Sequence, residues 1–315
     1  MKNNVIILKP RLDIPFGFIK DIPKTRGAIP SIRKYWEKLS DYLFLLHKSR
    51  GDQVQIIEKP LWQFNAEFVL KLDYTKIYIP HHSIKTFDKE NKLENVFYYM
   101  QMVFPWLFQI DSKGWCADAT VWPIEPTQNS DGKIFKKYQS LAFEGHSKFK
   151  QPKRGQFKPQ NKYILFLCQI PHDQTITLHS DVSVVDALLK TIEISKLLGI
   201  QLIVKPHPIN KVSMKPLLEI VSRKNLSGEK ILWADIVNIH DLLEHCEAVF
   251  SVNSGGGMEG ILHKKPIFCF GRSDYSSVSH FVDKSINWEI KDKFIPHYED
   301  FIDAYVNTMV NVNYS

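Results

Sequence analysis

From Tyr163 to Phe270 the sequence alternates short apolar runs with segments of helical spacing, and few architectures accept that pattern. Tyr163–Cys168, Gln201–Val204, Ile231–Trp233, Ala248–Val252 and Pro266–Phe270 read as strands. Between them, Val182–Leu198 places Val184, Val185, Leu188, Leu189 and Ile192 on one helical face. Met214–Ser222, Ile239–His245 and Met258–His263 supply the other predicted helices. Strands alternating with helices make a parallel sheet covered on both faces. Such sheets bind ligands outside the carboxyl ends of their strands. The residues just after each strand are therefore the first place to look for chemistry.

After the first of these strands comes Gln169-Ile170-Pro171-His172-Asp173. Asp173 and His172 are candidates for acid–base or nucleophilic work, and an Asp capping a turn is the plainer alternative. The second strand runs into Lys205-Pro206-His207-Pro208, where two prolines fix the backbone around one histidine beside a cation. The fourth runs into Ser251-Val252-Asn253-Ser254-Gly255-Gly256-Gly257-Met258-Glu259-Gly260, which opens a predicted helix. Glycines permit close approach of a ligand, Ser251, Asn253 and Ser254 add polar groups, and the pattern suits a phosphate. Glu259 would complement the helix dipole or hold ribose hydroxyls. The last strand leads to Arg272, which can face a carboxylate or phosphate, or simply lie on the surface. No Asp-x-Asp and no clustered His/Cys set occurs, so neither a metal nor a resident cofactor is expected.

The first half reads as an irregular α/β domain. Val5–Leu8, Val54–Ile57 and Lys76–Ile79 are predicted strands, and Ser31–His47 is a predicted helix with Ser31 as its cap. Asn95–Phe108 is rich in aromatics and is predicted helical up to Pro105. Residues 148–162 are basic, broken by Pro and Gly, and read as a solvated linker or as cations facing an acidic substrate.

A net charge of +7 favours an anionic partner. No nucleic-acid-binding signature accompanies it, so nucleic acid is not expected. No apolar stretch approaches the length of a membrane span, and the start of the chain lacks a signal-peptide pattern. A cytoplasmic protein is expected, with peripheral docking at the inner face of the cytoplasmic membrane as an option. The four cysteines form no CxxC pair and read as buried thiols.

The run Gln169-x-Pro171-x-Asp173, then Lys205-Pro206-His207-Pro208, then Ser251-x-x-Ser254-Gly255-x-x-x-Glu259-Gly260 with Lys265-Pro266, resembles the capsule polysaccharide biosynthesis proteins. These include bacterial β-Kdo transferases. The resemblance covers Tyr163 to Gly271, with a weaker echo at Asp111-Ser112-Lys113-Gly114-Trp115. It implies a GT-B-like fold, two Rossmann-like domains facing a central cleft. The implied division is an acceptor-side domain at 1–158, a nucleotide-sugar domain at 159–290, and a C-terminal helix at 291–315 that crosses back. The implied substrates are a CMP-activated acidic sugar, Kdo first, and an anionic surface glycan. Asp173, with His172, is then catalytic. Gln169, Lys205, His207, Pro208, Ser251, Asn253, Ser254, Gly255, Gly256 and Glu259 hold the nucleotide. Arg272, His81, His82, Asp111 and Trp115 meet the donor carboxylate or the acceptor. The triple glycine departs from the family pattern, in which a Thr often follows the Ser. Two alternatives stand beside this reading. One is a CDP-glycerol or CDP-ribitol phosphotransferase of teichoic type, to which Ser273-Asp274-Tyr275-Ser276-Ser277 bears some likeness. The other is a non-catalytic nucleotide- or glycan-binding module.

Overall fold

Val5–Leu8 carries no polar side chain, and this run is the buried centre of strand β1 (Asn4–Pro10). The computed structural model describes residues 2–11, 29–90, 92–146, 149, 151–208, 217, 219–220, 231–283 and 297–313. Helix α1 (Ile29–Ser49) begins ahead of the expected cap at Ser31 and buries Tyr35, Trp36, Leu39 and Leu43 at helical spacing. It returns the chain to β2 (Gln53–Lys59), parallel to β1. Helix α2 (Ala66–Leu70) is capped by Asn65, whose Oδ1 accepts from Phe68 N at 2.8 Å. Strand β3 (Lys76–Pro80) takes the other flank of β1, and helix α3 (Ile84–Phe87) follows it.

The expected helix over Asn95–Phe108 is instead a hairpin of β4 (Val96–Gln101) and β5 (Leu107–Asp111), paired antiparallel. Its aromatic run fits a strand buried on both faces, where rings and β-branched side chains pack well, and an unbroken apolar run carries no period to tell the two apart. Pro105 lies in the turn, where its missing N–H costs no ladder bond.

The first sheet has the order β12-β5-β4-β3-β1-β2, β12 being Val310–Asn311. Near its amino end three buried polar side chains form a relay. His47 Nδ1 meets Asp52 Oδ2 at 2.8 Å and His47 Nε2 meets the Tyr78 hydroxyl at 2.9 Å. Asn3 Nδ2 donates to Asp52 Oδ1 at 2.9 Å. The histidine bond, more than the burial that opposes it, holds the Asp52 carboxyl below its ordinary range.

The second sheet is all parallel: β11-β10-β9-β6-β7-β8. Its strands are β6 (Tyr163–Leu167), β7 (Gln201–Lys205), β8 (Ile231–Trp233), β9 (Ala248–Ser251), β10 (Ile267–Cys269) and β11 (His280–Phe281). Its helices are α4 (Lys133–Phe143), α5 (Gln174–His179), α6 (Val184–Leu198), α7 (Ile239–His245) and α8 (Gly256–Leu262). Ile164, Phe166, Leu202, Val204, Ala248 and Phe250 form one core with Val184, Leu188 and Ile192 of α6. Helix α6 starts at Ser183, whose Oγ accepts from Asp186 N at 3.1 Å, and stops at Gly199 with φ +64°. The expected helix Met214–Ser222 falls almost wholly outside the described residues.

The chain forms two Rossmann-like units, Met1–Trp122 with Val306–Ser315, and Pro123–Tyr305. The junction at Trp122/Pro123 precedes the expected one at residue 158, because α4 belongs to the second unit. Gln139 Nε2 donates to Leu262 O at 2.5 Å, and the Phe143 ring lies 4.5 Å from that of His263. Helix α9 (Tyr298–Asn307) also packs there. Tyr305 OH donates to Asp274 Oδ2 at 3.0 Å and Ser130 Oγ to Asp303 Oδ2 at 2.6 Å. The chain then crosses back, and β12 joins β5 antiparallel. No helix among the described residues is long and apolar enough to cross a membrane.

Candidate functional site

In the second sheet β6 is laid first. The chain then adds β7 and β8 on one side and β9, β10 and β11 on the other. The direction of winding therefore reverses between β6 and β9, and sheets of this kind bind their ligands at the carboxyl edge beside such a point. Gln169 and Asn253 stand at this edge, just past Leu167 and Ser251. They pair reciprocally: Gln169 Nε2 donates to Asn253 Oδ1 at 2.9 Å, and Asn253 N donates to Gln169 Oε1 at 2.9 Å. Asn253 Nδ2 also donates to Thr175 O at 2.6 Å and to Arg272 O at 3.1 Å. One buried amide thus joins the loops after β6, β9 and β10.

Asp173, half-buried, is the N-cap of α5. Its Oδ1 accepts from both Thr175 N and Thr175 Oγ1, each at 2.9 Å. The turn-capping alternative is therefore real, and it does not consume the carboxylate, since Oδ2 remains. Thr175 was not singled out in the sequence, although Asp followed two residues later by Thr is a cap pattern that could have flagged it. Pro171 and His172 are exposed on the same loop.

The glycine-rich run is a tight turn into α8. Ser251 Oγ accepts from Ser254 N at 3.1 Å, and Ser254 Oγ accepts from Gly256 N at 3.2 Å. Gly257 N and Met258 N are bonded to Ser254 O and Gly255 O at 2.8 and 3.0 Å. These donors are engaged inside the turn, so the cradle of free N–H groups expected there is smaller than the sequence implies. The glycines serve packing. A Cβ on Gly257 would overlap the Tyr275 ring, and one on Gly256 would lie 2.7 Å from Leu167 Cδ1. Tyr275, fully buried, donates to Ser254 O at 2.5 Å, and burial drives its phenol well above the ordinary range. Glu259 is buried in the first turn of α8.

Lys205 is buried at the end of β7 and donates through Nζ to Ala234 O at 3.2 Å and Asp235 O at 2.9 Å. Burial outweighs the charge of Asp235 and lowers its ammonium pKa. His207 is partly exposed with its ring 5.3 Å from that of Phe149, and Pro208 is exposed. Arg272 is exposed, with its N–H on His179 O at 2.8 Å.

The basic segment is tied down rather than loose. Asp241 of α7 accepts from Gly155 N at 2.9 Å and Gln156 N at 3.2 Å, and Arg154 Nη2 meets Glu244 at 2.8 Å. Lys153 and Lys158 remain exposed. Behind it His240 Nδ1 faces His263 Nε2 at 3.1 Å. Burial lowers their pKa values to about 4 and about 3. No local pattern in the sequence marks this pair.

The first-unit candidates are less open. Asp111 spends both oxygens on its own loop, accepting from Lys113 N at 2.7 Å, Gly114 N at 3.2 Å and Thr120 N at 2.9 Å. Trp115 is buried. His82 is buried beside Phe87, and desolvation first, then His81, lowers its pKa to about 4. His81 is partly exposed after β3 with φ +62°, a conformation unusual for a side-chain-bearing residue.

This geometry can be set beside known proteins. The family model described as capsule polysaccharide biosynthesis protein matches residues 124–314, more than half of the chain. The chain belongs to that family. Among relatives of this capsule-family protein, the capsule polysaccharide export protein KpsS of Escherichia coli is 28% identical over 120 residues. That match spans 36% of this chain and only 31% of KpsS. Two solved structures share its fold, both from KpsC of Thermosulfurimonas dismutans. The beta Kdo 2,7 transferase gives a TM-score of 0.53 at 14% identity, over 97% of this chain and 90% of that one. The beta Kdo 2,4 transferase gives 0.51 at 17% identity, over 80% and 83%. At such identities the likeness is one of architecture.

Proposed function

We propose that this chain is a glycosyltransferase that moves an acidic sugar, Kdo first, from its CMP-activated form to a bacterial surface polysaccharide or lipopolysaccharide. The observation that carries this reading is the Asp173 carboxylate, fixed through Oδ1 beside the switch point of an all-parallel sheet in a capsule-family chain. That both KpsC structures are of beta Kdo transferases gives Kdo its priority among acidic sugars.

In the proposed reaction Asp173 Oδ2 attacks the anomeric carbon of the donor sugar. The bond to the phosphate oxygen breaks, and CMP leaves with the electron pair. The acceptor hydroxyl then displaces the carboxylate and loses its proton to a base, for which exposed His172 stands on the same loop. His207 and Pro208 would meet the cytidine, the Ser254 turn the phosphate, and Glu259 the ribose. Arg272 would pair with the sugar carboxylate. The donor arrives already activated, so the scheme calls on no resident cofactor. Of the first-unit candidates His81, His82, Asp111 and Trp115, His81 alone is not buried, and the acceptor role would fall to it. The work would be done in the cytoplasm or at the inner membrane face, where Lys153 and Lys158 suit anionic surroundings.

The run that bears the teichoic-type likeness has structural tasks of its own. Ser273–Ser277 is accounted for by packing, with Tyr275 under α8, Asp274 on Tyr305, and Ser277 Oγ on Ile124 O at 2.5 Å.

The test is release of CMP or CDP from CMP-Kdo, CMP-sialic acid and CDP-glycerol with a mixed glycan acceptor extract. Acceptor-dependent CMP release from CMP-Kdo is the expected result. Glycerol transfer would move the protein to the teichoic class. Silence with all three, in a protein whose melting point CMP raises, would favour a binding module.

A further inference from the structure

We infer that Gln169 and Asn253 are positioning residues of the transfer centre, whose reciprocal amide pair fixes the Asp173 carboxylate relative to the Ser254 turn. The inference rests on the transferase reading above and reassigns two residues that the sequence marked as nucleotide ligands.

Asp173 Oδ1 is held only by Thr175, through its N–H and its hydroxyl, among the described residues. The carbonyl of the same Thr175 is held by Asn253 Nδ2. The other Nδ2 hydrogen goes to Arg272 O, and the backbone N–H and Oδ1 of Asn253 go to Gln169. Every donor of Asn253 is thus engaged within the protein, and both atoms of the Gln169 amide face Asn253. Little is left to hold a nucleotide. Asn253 also immediately precedes Ser254, whose N–H and carbonyl are fixed by Ser251 and Tyr275. A continuous set of bonds therefore runs from the proposed nucleophile, on the loop after β6, to the proposed phosphate turn, on the loop after β9. Both amides are more than nine-tenths buried, so water does not compete for these bonds. A side chain fixed this way sets the separation of two reacting groups, and small errors in that separation cost rate rather than binding.

The test compares donor turnover with CMP binding in Asn253→Asp, Gln169→Glu, Thr175→Val and Thr175→Ser. In Asn253→Asp a carboxylate oxygen faces two carbonyl oxygens. Its kcat should fall by about tenfold or more while the CMP Kd stays within about twofold. Gln169→Glu should show the same split. Thr175→Val removes only the hydroxyl bond to Asp173 and should lower kcat about threefold, and Thr175→Ser, which keeps the hydroxyl, should restore it. Melting curves identify any variant that fails to fold, and the Thr175 pair carries the test in that event. A CMP Kd that rises in step with the loss of kcat would make the two amides ligands and overturn the inference. An unchanged kcat in folded Asn253→Asp and Gln169→Glu would overturn it as well, with the transferase reading intact. Failure of the reading itself looks different: the wild type is silent on every donor, or Asp173→Asn turns over as fast as the wild type, and the inference then falls with it.

Discussion

Two buried polar networks invite comparison. His47, Asp52 and Tyr78 form a carboxylate–imidazole–phenol relay at 2.8 and 2.9 Å, which by distance alone resembles a proton-transfer device. The other network, Gln169, Asn253, Thr175 and Asp173, has only one titratable member. Yet the relay sits where α1 ends and β2 begins, near the amino end of its sheet, with His47 and Tyr78 closed to solvent. The amide network sits at the carboxyl edge, where the sheet changes its direction of winding and Asp173 is half-open. Position on the sheet, more than the strength or chemistry of its hydrogen bonds, makes the second network the candidate site and the first a fastening.

The contrast can be broken in several ways. The largest effect is expected for Asp173→Asn. Asn is as good an N-cap as Asp, so the unfolding midpoint should hardly move, while turnover should drop at least about a thousandfold. A comparable drop in stability would make Asp173 a fastening too. Next comes Gly257→Ala. Its methyl group must push the rigid Tyr275 ring from beneath the Ser254 turn, at about 2 kcal/mol in urea unfolding. Tyr78→Phe should cost about 1 kcal/mol in the same assay, by leaving His47 short of a partner, with turnover unchanged. Loss of turnover there would mean that the relay reaches the chemistry. The smallest effect concerns pH. Asp52 titrates below its ordinary value in the folded protein, so its contribution is present above the unfolded carboxylate pKa of 3.8 and fades as pH falls through the lower folded value. Urea midpoints below about pH 4 should therefore fall less steeply in Asp52→Asn than in the wild type. Parallel curves would remove Asp52 from the relay.

The second unit was the more legible because its signals are local. Short apolar strands, the helical face of Val184, Leu188 and Ile192, and the loops after β6 and β9 all announce themselves within a few residues. The hairpin β4–β5 did not, since Phe97, Tyr98 and Tyr99 leave no polar face to count from. Asp173, Gln169 and Asn253 were legible as residues gathered at the carboxyl edge, but the bonds that join them were not. Whether an amide holds a ligand or another amide depends on a partner 84 positions away. Tyr275 escaped for the same reason: a phenol beneath a turn is a fact of packing across strands. The triple glycine was legible as close approach, and the groups that a Cβ at Gly257 or Gly256 would meet are the Tyr275 ring and Leu167.

The return of the chain to its first sheet has a consequence for biosynthesis. The second unit occupies one continuous stretch, Pro123–Tyr305, and every strand it needs leaves the ribosome before the chain turns home. The first unit is begun earliest and completed last. Until Val310 and Asn311 emerge, the outer side of β5 stays an unpaired edge, open to the pairing that exposed strands invite. For that interval it is the first unit, begun earliest, whose sheet still has an open edge.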